Sequence, residues 1–88
     1  MKIKENLVNA LELPRDLAYR ESIVTITGST QAVIENYRSI CSYTTEKLVV
    51  LTSRGKVTFL GKHLEIPCYT PVEMQVQGRI TGILLERQ

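Results

Sequence analysis

Acid–base chemistry in this chain would fall to very few residues: one histidine, His63, one aspartate, Asp16, and eight glutamates. A Ser-His-Asp relay needs a histidine that a carboxylate orients and that reaches a nucleophile. His63 follows Gly61-Lys62 at a predicted turn between strands, where a solvent-exposed or capping imidazole is expected rather than a catalytic one. Paired carboxylates would have to come from glutamates scattered over strand faces and from Asp16, and no spacing brings two together. Cys41 and Cys68 lack a C-x-x-C pair or a histidine cluster, which argues against a zinc site and a redox motif. Free, buried thiols in a reducing compartment are favoured over a disulfide. The chain therefore reads as non-enzymatic, with no catalytic residue, metal or cofactor expected.

Binding chemistry is almost as sparse. The stretch from Gly55 through Gly61-Lys62-His63 resembles a phosphate-binding loop only superficially: five residues separate its glycines, His63 stands where Ser or Thr is required, and the segment reads as strand. Arg54, Lys56 and Lys62 fall near one predicted hairpin and could bind phosphate, although charges on solvated strand edges commonly serve to block sheet-to-sheet pairing. Tyr37 and Tyr43 could stack a base, but half-buried strand tyrosines account for them better. A net charge of +2 with scattered Lys and Arg is too weak to recommend nucleic acid or an anionic membrane as partner. Glu35-Asn36-Tyr37-Arg38 is the most particular polar cluster; Asn36 suits a positive φ, and a hairpin turn is favoured there over a partner-binding site.

The elements that would position these groups are mostly strands. Branched segments end repeatedly at glycine, as in Leu48-Val49-Val50-Leu51-Thr52 before Gly55, and in the runs before Gly61 and Gly78, a pattern that specifies twisted antiparallel sheet. A strand is expected over 23–27, followed by strands near 32–36, 39–43, 47–52, 56–60, 63–66, 72–77 and 79–85. The fold class is all-β with one short N-terminal helix: a small meander, a roll or a two-layer sandwich of about seven strands. Ile3, Leu7, Ala10 and Leu11 at helical spacing predict that helix over residues 3–12, ended by Pro14. One domain is expected over 1–88, with the helix and a turn in 1–20 and the β domain in 21–88.

Val72, Met74 and Val76 alternate with Glu73, Gln75 and Gln77, so that strand should be half exposed. Leu48 to Leu51 is apolar on both faces, so it should lie centrally in the sheet, and it needs two covers. Ile3, Leu7 and Leu11, or a neighbouring copy, are expected to pack on Val49 and Leu51, which makes these five residues the candidate contact surface. The N-terminus lacks the pattern of a signal peptide and no apolar run approaches bilayer length, so a soluble, intracellular chain is expected.

Val33-Ile34-Glu35-Asn36-Tyr37, Ile40, Tyr43, Leu48 to Thr52 with Gly55, Phe59-Leu60-Gly61 with Leu64 and Ile66, and Val76-Gln77-Gly78-Arg79-Ile80 together resemble the YabP/YqfC family of sporulation proteins. Leu11-Glu12-Leu13-Pro14-Arg15-Asp16 looks like its YqfC branch. The resemblance rests on spaced apolar and turn positions, chiefly Glu35, Asn36, Gly55, Gly61 and Gly78, and covers nearly the whole chain. It implies expression in the mother cell of an endospore-forming bacterium, a non-enzymatic part in assembling the forespore envelope or coat, and a YqfD-type membrane protein as a functional neighbour. Self-association is expected as well, since so small a domain gains stability from it. A small β-barrel that binds a ligand or nucleic acid is the alternative.

Overall fold

Branched and aromatic residues at alternate positions build six strands within residues 21–87, the part of the chain that the computed structural model describes. These are β1 (Ile23–Thr27), β2 (Gln31–Glu35), β3 (Ser39–Tyr43), β4 (Lys47–Thr52), β5 (Gly55–Glu65) and β6 (Glu73–Arg87). All pairings are antiparallel, in one sheet of spatial order β1-β2-β6-β5-β4-β3. No helix occurs among the described residues, and the helix expected over 3–12, with Ile3, Leu7 and Leu11, lies outside them.

The sheet has fewer strands than the sequence suggests because two expected breaks are not breaks. Gly61 lies inside β5 and Gly78 inside β6. There glycine serves close backbone approach, its other use in strands. A Cβ on Gly61 would sit 1.9 Å from the Arg79 carbonyl oxygen. One on Gly78, whose φ is 139°, would sit 2.6 Å from that of His63. Bulges accompany the glycines. The register skips Thr81 opposite Leu60 and Gly61, and it slips again between Lys62 and Glu65, where His63 takes a φ of 55°.

These irregularities bend the long β5–β6 ribbon, and chain connectivity requires the bend. Glu35 pairs with Glu73, whereas Ser39 stands in the row Ser39, Leu51, Lys56, Glu86. In a flat sheet Glu35 and Ser39 would be about 45 Å apart. The short connection between them reaches at most ~14 Å. The ribbon therefore turns back, bringing the two ends of the sheet to one corner, where the Asn36 N–H donates to Val72 O at 2.6 Å and the Arg38 N–H to Leu51 O at 2.8 Å.

Bending encloses the inner face. Ile34, Met74 and Val76 from one half and Leu48, Val50 and Phe59 from the other share one cluster with Leu64, all with no exposed surface. Burial of each such side chain contributes about 1.5–3 kcal/mol. The alternation expected for the 72–77 segment holds from Glu73 onward, with Met74 and Val76 buried, but not at Val72, which lies just ahead of β6 and is 48% exposed. Cys41 and Cys68 are free, as expected, but exposed rather than buried. Cys41 occupies the bulge of the edge strand β3 and Cys68 the β5–β6 connection, positions that face away from the core.

Candidate interaction surface

Residues opposite one another in an antiparallel pair share a face, so the registers define what the sheet shows on its outer side. In the half built from β3, β4, the start of β5 and the end of β6, three rows cross the strands: Lys47, Leu60, Gly82; then Ser42, Val49, Thr58, Leu84; then Ser39, Leu51, Lys56, Glu86. Val49, Leu51 and Leu60 are half-buried and Leu84 is 50% exposed. Four aliphatic side chains thus form a patch around Thr58, which they leave only 6% exposed, and Lys47, Lys56 and Glu86 rim it. Val49 and Leu51 occupy the outer face expected of them, with Leu48 and Val50 beneath in the core. Sequence reading missed Leu60 and Leu84; the register through Thr58 reveals them, and no strand taken alone carries that signal. β4 lies second from the end of the sheet rather than at its centre.

The turn positions assemble into two corners. At the first, Asn36 has a φ of 65° and its Nδ2 donates to Glu21 O at 3.0 Å. The Glu21 carboxylate in turn pairs with the Arg54 guanidinium at 2.9 Å, beside Gly55, which opens β5 opposite Arg87. Glu35 ends β2 next to this corner. Since β2 and β3 lie near opposite ends of the sheet, the Glu35–Arg38 segment is a crossover corner and not the expected hairpin. Gly61 and Gly78 form the second corner, at the bend. These positions are architectural, holding backbone where a side chain or another φ would not fit.

Two tyrosines tie the corners down. The Tyr43 hydroxyl donates to Leu64 O at 2.7 Å, and the Tyr37 hydroxyl donates to Thr70 O. Burial, and then the neighbouring Tyr69, pushes the Tyr37 phenol above its ordinary value of 10.0. Tyr37 is half-buried against the core, as expected, whereas Tyr43 is 45% exposed rather than half-buried.

Of the three basic residues, Arg54 and Lys56 meet at one cleft and Lys62 stands apart. Arg54 pairs with Glu21, Lys56 faces Glu86 across the sheet, and Lys62 faces Arg79 beyond the bend. A cleft of about 280 Å³ at the first corner is lined by Glu21, Glu86, Arg54, Lys56 and Arg87 among others, so charges of both signs meet there. His63 is exposed within β5 rather than at a turn between strands. No cluster of metal-binding side chains and no helix long and apolar enough to cross a membrane occurs among the described residues.

The comparisons place this all-β domain in a family. The YabP family model matches residues 18–88, and the chain belongs to that family. It is also similar to "Uncharacterized protein YqfC" of Bacillus subtilis (strain 168), at 27% identity over 79 residues that cover 90% of this chain and 85% of that protein. No solved structure matches. Family membership suggests a sporulation-related protein.

Proposed function

We propose that this chain acts in the mother cell by protein–protein contact during assembly of the forespore envelope or spore coat, without catalysing a reaction. The observation that carries this reading is the aliphatic patch of Val49, Leu51, Leu60 and Leu84 on the outer face of the sheet. An exposed apolar patch rimmed by charge is the usual mark of a contact surface. Family membership supports a sporulation-related role, and a YqfD-type membrane protein at the forespore surface is the partner proposed. Ile3, Leu7 and Leu11, outside the described residues, are proposed to add to the same contact.

Replacing Val49 by Asp in the native cells tests this. A carboxylate in the patch should abolish co-purification with the YqfD-type protein and leave spores with a defective envelope or coat. Val33→Asp, on the outer face of the other half, should leave both intact. Equal behaviour of the two variants, at equal folded abundance, would overturn the proposal.

A further inference from the structure

The two long strands are not paired along their whole length. β2 covers Glu73 to Gln77 of β6, and the Gly78 and Ile80 N–H groups donate to Thr30 O and Ser29 O. From residue 81 to residue 87, β6 has β5 on one side and, among the described residues, no strand on the other. This edge is seven residues long, Thr81-Gly82-Ile83-Leu84-Leu85-Glu86-Arg87. Proteins ordinarily blunt such edges with lysine, proline, bulges or shortness. The β3 edge carries a bulge at Cys41, and the β1 edge is five residues long. On β6 the ladder is regular from Gly82 onward, and no charge appears before Glu86. Leu84 is 50% exposed on the outer face and Leu85 is 73% exposed on the inner face.

We propose that residues 81–87 pair antiparallel with the same segment of a second copy of this chain, about a twofold axis at Leu84. The sequence of the edge argues for a second copy in particular. Antiparallel self-pairing that uses the whole free segment on both sides is centred on Leu84 and sets Leu84 against Leu84, Ile83 against Leu85, Gly82 against Glu86 and Thr81 against Arg87. Every central pair is aliphatic, and each charge meets a small uncharged residue. Like charges never oppose one another, and Glu86 keeps Lys56 across the sheet in its own copy. The pairing satisfies the edge amides and covers Leu84 and Leu85 together, as strand addition does elsewhere. It also joins two outer faces into one continuous surface, doubling the aliphatic patch. The inference extends the contact reading without depending on it: a dimer without envelope contact, or contact by a monomer, would separate the two.

Sedimentation of the purified full chain should show a dimer. Leu84→Lys should weaken it by ~100-fold or more, because two leucines leave the interface and two ammonium groups meet, whereas Thr25→Lys on β1 should not. A chain carrying Cys41→Ser, Cys68→Ser and Leu84→Cys should form a symmetric disulfide dimer under mild oxidation, since opposed Cβ atoms lie about 5 Å apart; this readout stands even if Leu84→Lys fails to fold. A monomer at every accessible concentration, or a dimer that gives no crosslink from residue 84, would overturn the proposal. The latter result would assign the edge to the chain's own N-terminal residues or to a different interface.

Discussion

The two halves of the bent sheet have nearly equivalent inner faces and opposite outer ones. Inside, β2 with the start of β6 contributes Ala32, Ile34, Met74 and Val76, and β4 with the start of β5 contributes Leu48, Val50, Val57 and Phe59. Outside, the first half shows the rows Thr27, Gln31, Gln77; Thr25, Val33, Gln75; and Ile23, Glu35, Glu73, whereas the second shows Val49, Leu51, Leu60 and Leu84. The first half closes its core beneath an outer face that is mostly polar, with Ile23 and Val33 its only aliphatic members in these rows. The aliphatic surplus of the second half is therefore not a requirement of folding. It is a property of the surface, and it is the one the proposed contact uses.

The largest effect comes from removing the bend that makes two halves of one ribbon. Gly78→Val places a branched side chain where a Cβ already lies 2.6 Å from His63 O, at a φ of 139° that valine does not adopt. A loss of about 3–5 kcal/mol is expected, most of the stability of a domain this small. Urea denaturation reads it directly. A Gly78→Val protein with wild-type stability would mean that the bend is not fixed at this residue.

How much of this was legible beforehand follows from what each signal encodes. Alternation in Met74, Gln75 and Val76 reports a strand with one buried face, and the two-sided run of Leu48 to Leu51 reports an outer apolar surface; both are local and both are found in the structure. Gly61 and Gly78 carry a signal with two readings, reversal or close approach, and the choice depends on the carbonyls of Arg79 and His63 in another strand. Asn36 advertises a positive φ, but whether that φ serves a hairpin or a crossover depends on where β3 docks. The patch as a whole was half legible: Val49 and Leu51 are neighbours in sequence, whereas Leu84 joins them only through a register that spans three strands.

Tyr37 provides an intermediate effect, since it sits on the short connection that ties the halves together. Tyr37→Phe removes the hydrogen bond to Thr70 O, at a cost of about 1 kcal/mol near neutral pH. The alkaline limb should change too. A phenol held above 10.0 in the folded chain binds its proton more tightly there than in the unfolded chain, so its contribution is complete below that value and is lost as pH rises through the folded one. Wild type should therefore lose stability above pH 10 more steeply than Tyr37→Phe. Parallel alkaline limbs in the two proteins would show that this hydroxyl does not couple the halves.

The smallest effect lies on the polar outer face, where Glu35 and Glu73 stand directly opposite each other. Like charges in such a pair are unfavourable, and Glu73→Lys should stabilise the fold by about 0.2–1 kcal/mol, read as a higher urea midpoint at an unchanged slope. Added salt should narrow the difference, because screening weakens the repulsion in wild type and the attraction in the variant. The sign also bears on the contrast between the halves. A solvated face tolerates a charge reversal and even gains from it, whereas a carboxylate at Val49 would disturb the face that the proposed partner dries. If Glu73→Lys instead destabilised the chain or disrupted its contacts, the Glu35–Glu73 pair would be part of a binding surface, and the first half could no longer serve as the inert counterpart of the second.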